Sequence, residues 1–298
     1  MTRHIALLFS LLAILLLTAC GGSSSQRPSL AVSVEPQRAM LEEIVGDRFD
    51  VVTLLGKGAN PETFDPTMRS RMEAENARAF FTTGSMPFEE RIAEALPATV
   101  KVVDVSAGIE PIYGTHGHDH GHDHGHAEET HGHEHSALER DPHLCVSVRN
   151  ARVIARNMYE QVVALDSASK DYYTDNYRRL DARLDSLDRA FSARLTAAPS
   201  RAFAIWHPSL SYLARDYGLE QVAVGFENKE MSPQRLTETV DHARADSVKV
   251  FFFQTDYDSR QAQTLNQQMG TRLVTINPLV YEWEDALSQI VNALTLKP

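Results

Sequence analysis

The chain has 298 residues, with 29 basic and 40 acidic side chains and a formal net charge of −11. Such an acidic surface argues against nucleic acid as a partner, because affinity for phosphates comes from basic side chains. The chain has two cysteines, Cys20 and Cys145, so few that a fold of this length must rely on hydrophobic cores. The length is sufficient for two domains.

The amino terminus predicts export. A short basic start precedes an almost unbroken apolar run over 5–18, which is too short for a comfortable membrane span and suits a secretory signal. The residues Leu-Thr-Ala before Cys20 resemble a bacterial lipobox. We therefore predict a signal peptide over 1–19, lipidation of Cys20 and a flexible tether over 20–28, with the protein periplasmic or on the cell surface. The alternative is an ordinary signal peptide with a chance cysteine.

Eight β-rich runs alternate with helical patterns along the rest of the chain. This alternation predicts parallel sheets covered by helices. We expect an α/β fold of two four-stranded parallel-sheet (βα)4 domains, an amino-terminal one over 29–166 and a carboxyl-terminal one over 199–298. The runs are SLAVSVE (29–35), FDVVTLL (49–55), AFFTTG (79–84), VKVVDVS (100–106), RAFAIWH (201–207), QVAVGFE (221–227), VKVFFFQ (248–254) and RLVTIN (272–277).

One long amphipathic helix is predicted between the domains, over 167–198. Its apolar positions step by three or four residues from Tyr173 to Leu195, and Pro199 follows. About thirty residues make a rod of about 45 Å. We interpret it as a rigid strut across both domains of a monomer; a coiled-coil dimer seam is the alternative.

A histidine-rich run, HGHDHGHDHGHAEETHGHEH, occupies 116–135 and contains few apolar residues. We expect a mobile loop. Free imidazole has a pKa of about 6.5, so most of these rings are neutral and able to bind metal at pH 7. The spacing favours degenerate zinc capture over one ordered site. The accessory metal ligands would be His116, His118, His120, His122, His124, His126, His131, His133 and His135.

A more defined site is predicted where strands end, because ligands of open α/β sheets bind at the carboxyl ends of the strands. Glu62 lies in a Gly/Pro-rich loop after the second run, and His207 ends the fifth. His143 stands just ahead of a helical pattern. Gln254 and Asn277 end the last two runs. His242, in contrast, lies within a helical pattern among Arg and Asp and is interpreted as solvated surface.

Four segments resemble those of a known family. GANPETFDPT, DPHLCVSVRNA, WHPSLSYLARDYGLE and VTINPL are similar, in the same order, to segments of the metal-binding solute receptors of ABC importers (cluster A-I, the high-affinity zinc-uptake periplasmic receptors). The similarity runs from about residue 30 to the carboxyl terminus. It implies the two-domain fold with a spanning helix, and partnership with an ABC permease and its ATPase. Zinc-specific members often carry a His-rich loop at the position of 116–135.

The resemblance also implies a zinc or manganese site in the cleft between the domains. Carried over by position, its ligands are Glu62, His143, His207 and Asn277, with water or Gln254 as the other candidates for the fourth ligand. Glu62 stands where the family has histidine, and Asn277 where it has aspartate. Two imidazoles and one carboxylate still suit Zn²⁺, while the harder carboxylate makes Mn²⁺ or Fe²⁺ the alternative.

Each ligand has a structural alternative, and the chain has rival functions. His207 could be a satisfied core histidine, His143 a helix cap, and Glu62 a loop carboxylate. Two histidines and a carboxylate also form hydrolytic or oxygenase sites, but there is no HExxH segment, so an enzyme is not predicted. An adhesin or a pure metal buffer, in which only 116–135 matters, is the third class. We predict a lipid-anchored receptor that delivers Zn²⁺ to an ABC permease.

Overall fold

The computed structural model describes residues 27–114, 140–225, 233–255 and 259–296. The predicted signal peptide, Cys20 and the histidine-rich run over 116–135 lie outside the described residues. In the described part of the chain, no helix combines the length and the apolar character needed to cross a membrane.

The amino-terminal lobe is a four-stranded parallel sheet with the order β2-β1-β3-β4. Strand β3 is buried along its whole length, as expected for an inner strand of a sheet covered on both faces. The strands are β1 (Ser29–Val32), β2 (Asp50–Thr53), β3 (Ala79–Thr82) and β4 (Lys101–Asp104), and the helices are α1 (Glu35–Val45), α2 (Met68–Glu75) and α3 (Pro87–Ala95).

The carboxyl-terminal lobe repeats this architecture with the order β6-β5-β7-β8, again all parallel. The predicted fold class of two four-stranded parallel sheets is therefore confirmed. The strands are β5 (Ala202–Ile205), β6 (Glu220–Ala223), β7 (Val250–Gln254) and β8 (Arg272–Ile276). Helices α6 (Ser211–Tyr217), α7 (Pro233–Ala245), α8 (Ser259–Met269) and α9 (Trp283–Thr295) belong to the same lobe.

Two consecutive helices join the lobes. Helix α4 (Val148–Leu165) is followed by a short 3-10 turn and by the long helix α5 (Lys170–Thr196). The apolar stripe of α5, from Tyr173 to Leu195, is buried within the chain itself, which favours the strut over the dimer seam. Its opposite face carries charged side chains.

Ion pairs also link the long helix α5 to both lobes. The Arg183 guanidinium on α5 donates to Glu43 of α1 at 2.6 and 2.8 Å and to Glu284 of α9 at 2.9 Å. Tyr281, just before α9, donates to Glu42 of α1 at 2.7 Å. These bonds connect α1 of the amino-terminal lobe with α5 and with the start of α9 in the carboxyl-terminal lobe.

One hydrophobic core extends from the amino-terminal sheet through α5 into one face of the carboxyl-terminal sheet. A second core lies on the other face of that sheet, between its strands and helices α7 and α8. Because the first core is continuous, large rotations of one lobe against the other would expose apolar surface. The fold therefore keeps the two sheets in nearly fixed relative positions.

Candidate metal centre

Three of the predicted ligands come from loops at the carboxyl ends of strands. Glu62 lies in the loop between β2 and α2, where its backbone N–H donates to the Asn60 side chain at 2.8 Å. His207 follows β5 by two residues. His143 lies immediately before a 3-10 turn that leads into α4. The parallel sheets thus place these residues of both lobes at the same interlobe edge.

The structure brings Glu62, His143 and His207 together, and we call these three residues the interlobe metal centre. One ligand atom from each lies within 4.8 Å of the other two. The His207 Nε2 atom is 3.2 Å from Glu62 Oε1, and the two imidazole centroids are 5.2 Å apart. Tetrahedral Zn²⁺ with bonds of about 2.1 Å holds its ligand atoms about 3.4 Å apart. The three side chains would therefore need to shift by about an ångström to bind one metal ion.

Burial differs among the three residues. His143 and His207 are only 6% and 8% exposed, whereas the Glu62 side chain is 20% exposed. A buried pair of imidazoles with one partly accessible carboxylate is a donor set that Zn²⁺ accepts. The carboxylate also brings the negative charge that a buried divalent cation needs.

Asp141 orients the His143 ring. Its buried carboxylate lies 2.8 Å from His143 Nδ1 and accepts the His143 backbone N–H, also at 2.8 Å. Burial alone would raise the pKa of Asp141, but attraction to the His143 ring and hydrogen bonds from His143 and Ser211 outweigh it and lower the pKa. A carboxylate on Nδ1 directs metal binding to Nε2 and makes the imidazole a stronger ligand.

Gln254 holds the backbone around His207. Its amide oxygen accepts the His207 N–H at 3.3 Å, and its amide nitrogen donates to the His207 carbonyl at 2.7 Å and to Ser209 Oγ at 2.6 Å. The buried amide at the end of β7 therefore fixes the segment that follows β5. Both ends of the Gln254 side chain are occupied by these bonds.

Asn277 lies at the end of β8 with an exposed side chain. Its Oδ1 accepts the Leu279 backbone N–H at 3.1 Å, which stabilises the turn after the strand. Asn277 as a ligand of the interlobe metal centre therefore stays a prediction.

Helix α6 of the carboxyl-terminal lobe supports the segment that carries His143. The Tyr212 hydroxyl accepts the Ile112 N–H and donates to the Asp141 carbonyl, both at 3.2 Å. The Ser147 hydroxyl donates to the Asp216 carboxylate. The position of His143 thus depends on contacts between the lobes as well as on its own loop.

Cys145 lies two residues beyond His143 and is buried. Burial, together with the nearby charge of Glu89, raises the pKa of its thiol to about 12. Since only the thiolate is a good metal ligand, Cys145 does not add to the donor set at neutral pH.

Two supporting residues were missed by the sequence analysis. Asp141 begins the segment DPHLCVSVRNA, and its position two residues before His143 was a usable signal. The sequence carries no comparable signal for Tyr212, because its hydroxyl bonds to Ile112 and Asp141 of the other lobe only in the folded structure.

Known proteins similar to this chain include zinc-binding and zinc-uptake proteins. The zinc-binding lipoprotein AdcA of Streptococcus pneumoniae is 25% identical over 283 residues, which cover 93% of this chain; this chain spans 55% of that relative's length. The high-affinity zinc uptake system protein ZnuA of Bacillus subtilis is 28% identical over 283 residues, covering 89% of this chain and 85% of the relative.

A solved structure of a zinc-bound ZnuA deletion mutant is similar with a TM-score of 0.77 and 25% identity, covering 91% of this chain and all of that one. The family model for the periplasmic zinc-uptake complex component A, ZnuA, matches residues 30–295. The chain therefore belongs to the ZnuA family of periplasmic zinc-uptake components.

Proposed function

We propose that this protein captures Zn²⁺ at the interlobe metal centre and delivers it to the permease of an ABC transporter. The observation that carries the proposal is the convergence of Glu62, His143 and His207 from three separate loops. The family membership and the zinc-binding relatives support it. Zn²⁺ is the cargo here, so the centre must bind it tightly and still release it.

His143 and His207 form the fixed half of the proposed site. The carboxylate of Asp141 sets the tautomer of His143, and Gln254 fixes the backbone of His207. These contacts limit the ordering that binding would otherwise require, and such preorganisation favours affinity.

Water is the proposed fourth ligand. Asn277 was the first candidate, but its Oδ1 is engaged with the Leu279 N–H, and the amide of Gln254 is engaged with His207 and Ser209. A bound water keeps one position exchangeable. A ligand from the permease could then enter at that position while the protein ligands leave.

Release is proposed to begin with Glu62. The lobes share a continuous core and are fixed to α5 through Arg183, so wide opening is opposed. The Glu62 loop contains Gly56 and Gly58, the latter with φ of 75°, and the carboxylate is the most exposed of the three ligands. Movement of this loop would remove the charged ligand first and weaken the centre.

The histidine-rich run over 116–135 is proposed to collect zinc for the interlobe metal centre. In the sequence the run lies between Gly114 and Arg140, and Arg140 stands three residues before His143. Tyr113 and Arg140 form an antiparallel bridge, and the Asp141 N–H donates to the Ile112 carbonyl at 2.8 Å. The segments that flank the run in sequence therefore pair with each other close to His143, which supports the proposal.

An extracytoplasmic location follows from the family description. Lipidation of Cys20, attachment to a bacterial membrane through that lipid and a monomeric state are further parts of the proposal. The lipidation rests on the Leu-Thr-Ala-Cys segment and on the lipoprotein among the relatives. Labelling with a radioactive fatty acid that is lost in a Cys20→Ala variant would test it.

A manganese or iron receptor of the same fold is the second candidate. The specific observation in its favour is the Glu62 carboxylate in the donor set, because carboxylates suit harder cations than imidazoles do. Competition between Zn²⁺ and Mn²⁺ for the same centre decides between the two. The family is described as a transport component and not as an enzyme, and we propose no catalytic role. Added zinc should give no turnover of ester or phosphate substrates.

The test of the proposed function is calorimetric titration with Zn²⁺ at about pH 7.5, where imidazole is largely neutral. The intact chain and a chain lacking 116–135 should each show one site tighter than micromolar. If tight stoichiometric binding disappears with the run, the pure metal buffer is correct and the interlobe centre is not the receptor site.

A further inference from the structure

A buried tyrosine of the carboxyl-terminal lobe completes a triangle of hydrogen bonds in the amino-terminal lobe. The Tyr212 hydroxyl donates to the Asp141 carbonyl and accepts the Ile112 N–H, both at 3.2 Å. The third side is the bond from the Asp141 N–H to the Ile112 carbonyl, at 2.8 Å. Tyr212 is completely buried, and this burial raises the pKa of its phenol. The hydroxyl therefore keeps the proton that it donates at neutral pH.

A neighbouring arginine on α6 holds the Tyr212 side chain against the other lobe. The Arg215 guanidinium lies 5.0 Å from the centroid of the Tyr212 ring. It donates to the Glu110 carbonyl at 2.8 Å and to the Asn150 side chain at 3.2 Å, both in the amino-terminal lobe. The two α6 side chains thus contact the same region of the opposite lobe, which limits the freedom of the Tyr212 hydroxyl.

The triangle leads directly to one of the two imidazoles. Oδ1 of Asp141 accepts the His143 N–H and lies 2.8 Å from His143 Nδ1. These bonds hold Asp141 and His143 to each other, whereas the Tyr212 hydroxyl connects the pair to the carboxyl-terminal lobe. The placement of the His143 ring therefore depends on a donor of the lobe that carries His207.

Helix α6 is in turn tied to the other imidazole. It begins shortly after His207, and a side chain of β6 fixes the turn between them. The Gln221 amide oxygen accepts the Leu210 N–H at 2.8 Å, and its amide nitrogen donates to Ser211 Oγ at 2.9 Å. Ser211 Oγ donates to the Pro208 carbonyl at 3.3 Å. A short and well-bonded segment therefore connects the backbone at His207 with the Tyr212 hydroxyl.

We propose that Tyr212 is a positioning residue of the interlobe metal centre, whose hydroxyl sets the place of His143 relative to His207 through Asp141. The inference rests on the proposed function, because this placement matters only if both imidazoles bind one ion. Without the hydroxyl, the buried Asp141 carbonyl and Ile112 N–H would lose a partner and their segments would shift. A metal site tolerates only small ligand displacements, so zinc affinity should fall.

Two tyrosines of α6 give a matched test in the full chain. Tyr212→Phe removes only the hydroxyl. Tyr217→Phe makes the same change at a buried residue of the same helix, whose hydroxyl donates to Asp188 of α5 at 2.9 Å. In competition with a chromophoric chelator, Tyr212→Phe should bind Zn²⁺ about tenfold more weakly than the wild type, the lower end for residues that support a ligand. Tyr217→Phe should bind like the wild type. Equal affinity in all three proteins, or an equal loss in both variants, overturns the proposal.

Co²⁺ in place of Zn²⁺ gives a readout that a general loss of stability would not change, because its visible absorption depends on the geometry of the ligands. With one equivalent of Co²⁺, the bands of Tyr212→Phe should differ in position or intensity from those of the wild type and of Tyr217→Phe. Identical spectra in all three proteins contradict the positioning role.

Failure of this inference and failure of the proposed function are distinguishable. A wild-type protein with a tight zinc site and a Tyr212→Phe variant of the same affinity would overturn the role of Tyr212 alone. A wild-type protein without a tight site would overturn both.

Discussion

The imidazole side and the carboxylate side of the interlobe metal centre are built differently. His143 and His207 are buried, and each is held by a further side chain, Asp141 at the ring of the first and Gln254 at the backbone of the second. Glu62 is partly exposed on a loop rich in glycine and proline. Under the proposed function, the buried imidazoles would provide the tight binding, and the more exposed Glu62 carboxylate would provide the release.

Removal of an imidazole should have the largest effect. His207→Ala should lower zinc affinity by at least about a thousandfold, because each ligand of a protein zinc site contributes several kcal/mol. Competition with a chromophoric chelator, in a chain lacking 116–135, measures the change. His242→Ala is the matched control and should leave this affinity unchanged; a similar loss in both variants would indicate that the interlobe centre is not the tight site.

Removal of the carboxylate should have a smaller effect, and the loop should tolerate a different ligand. Glu62→Ala should lower affinity about a hundredfold, through loss of one ligand and its charge. Glu62→His should recover most of that loss and shift the preference from Mn²⁺ towards Zn²⁺, because imidazole is the softer ligand. The same competition assay with both metals checks this. If Glu62→His binds no better than Glu62→Ala, the loop is not adjustable.

Removal of the Asp141 carboxylate that orients His143 should have a still smaller effect on zinc affinity. Asp141→Asn keeps the size of the side chain but removes the charge that orients the ring, and such changes lower metal affinity by about 10- to 100-fold. Circular dichroism should show an unchanged fold. An affinity equal to that of the wild type would mean that Asp141 does not act on the metal through His143.

The smallest effect concerns the stability of the metal-free protein at acid pH. The pKa of Asp141 is lowered in the folded state, so its ionised form stabilises the fold above the ordinary carboxyl pKa, and this stabilisation is lost as pH falls through the lowered value. The difference in unfolding free energy between wild type and Asp141→Asn should therefore shrink as pH falls below about 4. Urea unfolding at several pH values measures it. A difference that grows on acidification would contradict the direction of the shift.

The sequence predicted those parts of the molecule that depend on local pattern. Periodicity and turn residues located all eight strands and the long helix. The rule that ligands bind at strand ends pointed to Glu62, His143 and His207, which the structure brings together, and also to Gln254 and Asn277. The bonds of Gln254 to the His207 backbone could not be predicted, because the pairing of β5 with β7 decides them.

A surface group of Glu220, His242 and Asp246 on the carboxyl-terminal lobe, whose ligand atoms lie within 4.8 Å of one another, was not predicted for the same physical reason. The spacing of His242 and Asp246 was visible in the sequence, but Glu220 lies near them only through the tertiary fold. Ligand sets that depend on tertiary docking of distant elements leave no local signal. The segment resemblance helped at the interlobe centre because it supplied that missing tertiary relation.

The most direct test of the account is a crystal structure of the protein loaded with one equivalent of Zn²⁺, with anomalous data at the zinc edge. We predict one strong peak bound by the Glu62 carboxylate and by the imidazoles of His143 and His207, at about 2.0–2.2 Å from each ligand atom. A peak that lacks Glu62, or one held only by histidines of 116–135, would contradict it.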